Sequence, residues 1–153
     1  MTRVPAIPAL LAFLTLLAAC GSGEQPAHPM SSTTAAPSAT AGAPLTPGPG
    51  GVVISIDMTT DPAGNNKFTP AEFTAHPGDV LRFTLSTGVH NVNFLADSNP
   101  ALKPPPAPSP LLQLPGQAWD IAVDFPVGRY YFQCDPHALL GMVGHLTVEA
   151  AKP

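Results

Sequence analysis

Charge is scarce in this chain. Only 10% of its 153 residues are Asp, Glu, Lys or Arg, with 10 acidic side chains against 6 basic ones and a formal net charge of −4. So few cations create no positive field to gather phosphates, which excludes nucleic acid as a partner. Cysteine is scarcer still. Cys20 and Cys134 are the only two, too few to staple a small disulfide scaffold and not spaced as a zinc knuckle. Helical periodicity is missing as well, since no window keeps a 3.6-residue apolar repeat for three turns. What folds must therefore do so on a hydrophobic core built by strands. The supply is adequate: 44% of residues are hydrophobic, while 21 Pro and 13 Gly point to one modest domain joined to non-globular sequence.

The long apolar run lies at the N-terminus. After Met1, Thr2 and Arg3 it extends from Val4 to Ala19, the length of a secretory h-region and short of the ~20 residues that a membrane span needs. Residues 1–19 are expected to be a signal peptide. The run closes with Leu17, Ala18, Ala19, Cys20 and Gly21, which resembles the lipobox of bacterial lipoproteins. That resemblance implies lipidation of Cys20, export, and anchoring to the cell membrane on its extracytoplasmic side, in the periplasm or at the cell surface. Residues 20–51 are then the lipidated Cys and a linker of Pro, Ser, Thr, Ala and Gly, which cannot bury enough surface to offset its ordering entropy. A flexible tether of roughly 30 residues spans about 30 Å. His28 within it is read as a solvated linker side chain.

Residues 52–150 hold the folded domain. Short β-like segments recur there at Val52–Ile56, Glu72–Ala75, Val80–Leu85, Val89–Leu95, Trp119–Phe125, Gly128–Gln133 and Met142–Val148, the spacing of a sandwich or barrel. The proline cluster from Pro100 to Pro110 cannot be an interior strand. The expected fold is all-β, a Greek-key β-sandwich of about seven to eight strands.

One stretch carries chemistry. In Gln133-Cys134-Asp135-Pro136-His137-Ala138-Leu139-Leu140-Gly141-Met142 a strand closes on a cysteine, a histidine follows three residues on, and a methionine five residues later. His90, in Gly88-Val89-His90-Asn91, is a fourth candidate ligand, because loops from distant segments meet at one end of a sandwich. A thiolate, two imidazoles and a weak thioether suit a blue-copper electron-transfer centre. Zinc favours a stronger fourth donor. A nucleophilic Cys134 paired with His137 lacks a third orienting group and oxyanion donors, and a merely structural buried thiol leaves its company of ligands unexplained. His76 and His145 are read as solvated, and Trp119 as a core or rim aromatic.

On Cys134-Asp135-Pro136-His137 with Met142, on His90-Asn91-Val92, and on Phe68-Thr69-Pro70 with Pro77-Gly78-Asp79, the chain resembles the plastocyanin-like cupredoxins. The resemblance covers most of residues 52–148. It implies a single Cu(I)/Cu(II) ion held by His90, Cys134, His137 and Met142, with Asn91 tying the two ligand loops together and helping to hydrogen-bond the thiolate. Two departures stand out. Gln133 occupies the place where plant-type plastocyanins carry a tyrosine, and the acidic residues are scattered, so docking through an acidic patch is not expected.

Together these readings describe a monomeric one-electron carrier and not an enzyme, working outside the cytoplasmic membrane with transient redox protein donors and acceptors. The exposed rim for those partners is assigned to Ala138, Leu139 and Leu140, small or apolar side chains on the ligand loop. The alternative is a copper-binding protein for storage, delivery or sensing without a redox circuit.

Overall fold

Alternation of apolar and polar side chains builds two facing sheets. In the computed structural model, which describes residues 42–151, the strands are β1 (Val53–Thr60), β2 (Asn66–Thr69), β3 (Glu72–Ala75), β4 (Val80–Leu85), β5 (Ala118–Ala122), β6 (Gly128–Gln133) and β7 (Val143–Val148). The expected signal peptide, Cys20 and His28 lie outside the described residues. One sheet has the order β2-β1-β4-β5 and the other β3-β7-β6. The β1–β4 and β3–β7 pairs are parallel and the remaining pairs antiparallel. The all-β sandwich expected from the sequence is thus present with seven strands.

The period-2 pattern sends Ile56 and Met58 of β1, Leu81, Phe83 and Leu85 of β4, Tyr130 and Phe132 of β6, and Leu146 and Val148 of β7 into one core. Phe132 is its hub: its ring lies 5.0 Å from that of Phe68, 5.5 Å from Phe83 and Phe94, and 5.8 Å from Phe73. Such edge-on and tilted contacts add to the area term of burial. Because Phe132 stands near the end of β6, two residues before Cys134, the core that fixes its ring also fixes where the strand delivers the thiol. Trp119 is half-buried against this core.

Several expectations about elements change. The first strand runs on to Thr60, and β2 follows it as a four-residue hairpin partner. Only Phe68 is apolar in Asn66-Lys67-Phe68-Thr69, so β2 carries no alternation to read. Val89–Leu95 is not a ladder strand; it makes only isolated bridges, His90 to Leu112 and Asn93 to Gln133. One flank of that segment runs beside the proline-rich stretch, where Ser109 and Leu112 supply the amides that reach Val92 and His90 and the prolines have none to give. The strand expected at Trp119–Phe125 ends at Ala122, because Val123 instead exchanges backbone hydrogen bonds with Gly78 and Asp79. At the other end, residues of the expected linker fasten to the domain: the Leu45 amide donates to Asp120 Oδ2 at 2.8 Å and the Gly48 amide to the Gly78 carbonyl at 2.8 Å.

Candidate metal centre

Strand β6 ends at Gln133, and Cys134 follows in extended geometry with its thiol fully buried. Pro136 then turns the chain into a six-residue 3-10 segment, Asp135–Leu140, which Gly141 closes at φ 91°. That left-handed conformation suits glycine. Three backbone bonds shape the loop: His137 N to Cys134 O at 3.0 Å, Met142 N to His137 O at 3.1 Å, and Cys134 N to Met142 O at 3.1 Å. The loop is therefore a closed clasp, and it sets the positions of Cys134, His137 and Met142 together.

His90 reaches the clasp from a segment forty-four positions upstream of Cys134 and is fully buried. Its Nδ1 lies 3.1 Å from His137 Nδ1 and 3.7 Å from Cys134 Sγ, and Cys134 Sγ lies 3.3 Å from His137 Nδ1. These donor atoms all fall within 4.8 Å of one another. A metal–imidazole bond is about 2.0–2.1 Å long, so two nitrogens at this separation can share one ion with the sulfur beside them. Met142 is fully buried in the same core cluster as Cys134. The donor set of two imidazoles, a thiol and a nearby thioether fits copper.

The electrostatics follow from burial. Desolvation, helped by the neighbouring His137, pushes the His90 pKa down and keeps its ring neutral, against the opposing pull of the Thr87 carbonyl. Desolvation pushes the Cys134 thiol up, while the backbone amides of Asn91 and His137 that point at the sulfur work in the other direction. A metal ion reverses the first effect, since a coordinating thiol is deprotonated outright.

Asn91 links the two loops. Its Nδ2 donates to Asp135 Oδ2 at 2.8 Å and its Oδ1 accepts from the Asp135 amide at 2.8 Å, while its own amide faces the thiol. Sequence reasoning assigns Asp135, Asn93 and Tyr131 no part in this strap and marks Gln133 only as a departure from plant-type plastocyanins. Asp135 also accepts from Asn93 Nδ2 at 3.0 Å and Gln133 Nε2 at 2.9 Å, and Tyr131 donates its hydroxyl to Gln133 Oε1 at 2.9 Å. Burial acts to raise the Asp135 pKa, yet the bonds from Gln133, Asn91 and Asn93 outweigh it and hold the carboxylate ionised at lower pH than usual. The polar residue inside Cys-Asp-Pro-His was the visible signal for this anchor.

The remaining candidates sort by place. Ala138 is half-buried, Leu140 is exposed and Leu139 is fully exposed, all on the turn that carries the half-buried His137. Val89 and Leu111, both exposed, flank the bridged pair His90 and Leu112. His76 sits between Asp79 and Glu149 at 3.7 and 3.8 Å, and His145 lies 3.5 Å from Glu72 and packs edge-on against Tyr131. Neither joins the cluster.

A two-sheet β-sandwich that gathers two histidines, a cysteine and a methionine at one end defines a small copper protein of the cupredoxin class. Comparison with known proteins agrees. The model of the family described as copper binding proteins, plastocyanin/azurin family, matches residues 55–149. The plastocyanin of Nostoc punctiforme is 34% identical over 112 residues, covering 69% of this chain and 80% of that protein. The plastocyanin of Vicia faba is 37% identical over 90 residues, covering 56% of this chain and 90% of that protein. Among solved structures, a reduced amicyanin variant superposes with a TM-score of 0.51 at 25% identity, covering 63% of this chain and 82% of that one. The chain belongs to the plastocyanin/azurin family of copper-binding proteins, whose members carry electrons.

Proposed function

We propose that this protein is an exported, lipid-anchored one-electron carrier, in which His90, Cys134, His137 and Met142 hold a single copper ion. The observation that carries the reading is the convergence of His90 Nδ1, Cys134 Sγ and His137 Nδ1 within 4.8 Å. Copper, when bound, supplies a one-electron couple. The chain supplies the rest. A clasp closed by three backbone bonds and a strap through Asn91 and Asp135 hold the donors on a stiff sandwich, so that little has to move when charge changes. Burial of His90, Cys134 and Met142 excludes water. His137, half-buried on the outer turn, is the ligand nearest solvent and the natural edge for electrons to cross. Leu139 and Leu140 beside it form an apolar contact that desolvates easily and releases quickly, as a transient redox interface requires. The exposure of Leu139 and Leu140 beside His137 supports the reading of a carrier that meets redox partners transiently.

Export and anchoring rest on the apolar run from Val4 to Ala19 and on Leu17–Gly21 with Cys20 as the lipidated residue. On this reading the carrier works as a monomer on the extracytoplasmic side of the cell membrane and exchanges electrons with redox protein donors and acceptors.

The test is spectroscopic. Full-length protein loaded with Cu(II) should show intense thiolate-to-copper charge transfer and take up one electron reversibly. Cys134→Ser should lose the colour while keeping the fold, since a hydroxyl replaces a thiol of similar shape. An equally coloured Cys134→Ser protein refutes the ligand assignment.

A further inference from the structure

We propose that Thr60, held by Asn66, is a positioning residue for the metal centre: it sets His90 in the tautomer that turns an unprotonated Nδ1 toward Cys134 and His137. The proposal rests on the reading of His90 as a copper ligand and adds to it residues outside the ligand loops.

The protons can be assigned by following acceptors. Asn66 Nδ2 donates to the Gly64 carbonyl at 3.2 Å. A carbonyl has no proton to give, so the amide nitrogen of Asn66 must face it and the amide oxygen must face the other way. That oxygen accepts from Thr60 Oγ1 at 2.7 Å. The one hydroxyl proton of Thr60 is thereby committed to Asn66. Toward His90 Nε2, 3.1 Å away, Thr60 Oγ1 has only lone pairs to offer, so Nε2 must carry the hydrogen. A neutral imidazole has a single N–H, which leaves the Nδ1 lone pair free at the centre. The Thr87 carbonyl, a second group that can only accept, also bonds to the His90 ring.

The relay is built into the fold. Thr60 and Asn66 are cross-strand partners at the loop end of the β1–β2 hairpin. Thr60 is itself stitched to the loop that carries His90, through its amide to the Thr87 carbonyl at 3.1 Å and through Thr87 Oγ1 to the Thr60 carbonyl at 2.8 Å. Gly88 makes the approach possible. A Cβ at Gly88 would lie 2.2 Å from Thr60 Oγ1 and 2.7 Å from His90 Nε2, inside the space that the hydrogen bond occupies. A ring nitrogen whose hydrogen is accepted by an oxygen makes the opposite nitrogen a better donor, and partners of this kind typically matter 10–100-fold in metal affinity. With the Thr87 carbonyl sharing the load, the low end, about 10-fold, applies here.

The experiment uses the full chain, with Thr60→Val to remove the hydroxyl at constant shape and Thr60→Ser to restore it. Three readouts are taken: the ¹⁵N shifts of the His90 ring in metal-free protein, Cu(II) affinity by competition, and the reduction potential. Wild type and Thr60→Ser should show Nε2 protonated and Nδ1 bare. Thr60→Val should show mixed tautomers, about 10-fold weaker Cu(II) binding and a raised potential, because a poorer imidazole donor favours the reduced ion. A folded Thr60→Val protein with wild-type ring shifts, affinity and potential overturns the proposal. Should Thr60→Val fail to fold, Asn66→Ala asks the same question. It frees the Thr60 proton to turn toward Nε2 and should move the tautomer toward protonated Nδ1; an unchanged tautomer there also overturns the proposal. Diamagnetic Cu(I) added to wild type tests the ligand reading separately, since a His90 Nδ1 that does not respond to Cu(I) rejects the ligand and leaves the tautomer result standing.

Discussion

Leu139→Glu offers a direct test of the apolar rim, and electron self-exchange reads it without knowledge of the natural partner. Leu139 is fully exposed, so the substitution should leave stability within about 0.5 kcal/mol of wild type. In a contact between two copies through this rim, each copy presents its own Leu139. Full burial of a leucine is worth about 1.5–3 kcal/mol; half-burial of both copies therefore contributes on the order of 2 kcal/mol. Two carboxylates facing each other at about 8 Å in water add about 0.5 kcal/mol of repulsion. With tenfold per 1.4 kcal/mol, self-exchange should slow by roughly 50-fold. NMR line broadening in mixtures of reduced and oxidised protein measures the rate, and the absorption spectrum and potential should stay at wild-type values. Salt divides the effect: with a Debye length of about 10 Å at 0.1 M, added salt recovers the repulsive part and leaves the apolar part. If both Leu139→Glu and Leu140→Glu exchange at the wild-type rate, electrons cross elsewhere and the rim assignment fails.

Other outcomes are equally accessible. Met142→Leu should retain copper and colour but raise the reduction potential, because loss of a thioether donor destabilises the oxidised ion more than the reduced one; voltammetry that finds no shift would reduce Met142 to packing. Asp120→Asn should cost about 1–3 kcal/mol at neutral pH by urea unfolding, since Asp120, 5% exposed, accepts from Arg82 Nε at 2.9 Å and Nη2 at 2.7 Å. Burial works to raise the Asp120 pKa, but Arg82 and the Leu45 amide lower it overall. The wild-type advantage should therefore be complete above the unfolded carboxylate pKa near ~4 and shrink as pH falls below it; an advantage of equal size at pH 3 and pH 7 would contradict that sign. Cys20→Ala should release the protein from membranes or leave it unprocessed, and fractionation that finds unmodified wild-type protein wholly soluble would dismiss the anchor.

The chemistry of the centre was legible because most of it is local. Cys134, His137 and Met142 fall within nine consecutive residues, and the turn that brings them together is written there too, in Pro136 and in the glycine at position 141 that tolerates a positive φ. The β-like segments Val80–Leu85 and Gly128–Gln133 likewise announced β4 and β6, whose inward faces are continuous with the core. Only the folded chain could decide the rest. His90 joins the cluster because an extended segment with two isolated bridges runs beside the proline-rich stretch and β6, a placement that no spacing encodes. The Asp135 strap draws donors from positions 91, 93 and 133, and the Thr60–Asn66 relay comes from a hairpin whose second strand has one apolar residue. Ligand identity is a property of short segments, whereas the bonds that aim each ligand depend on register and loop crossing. Register is set by the whole core, and so these partners become visible only when the sheets are assembled.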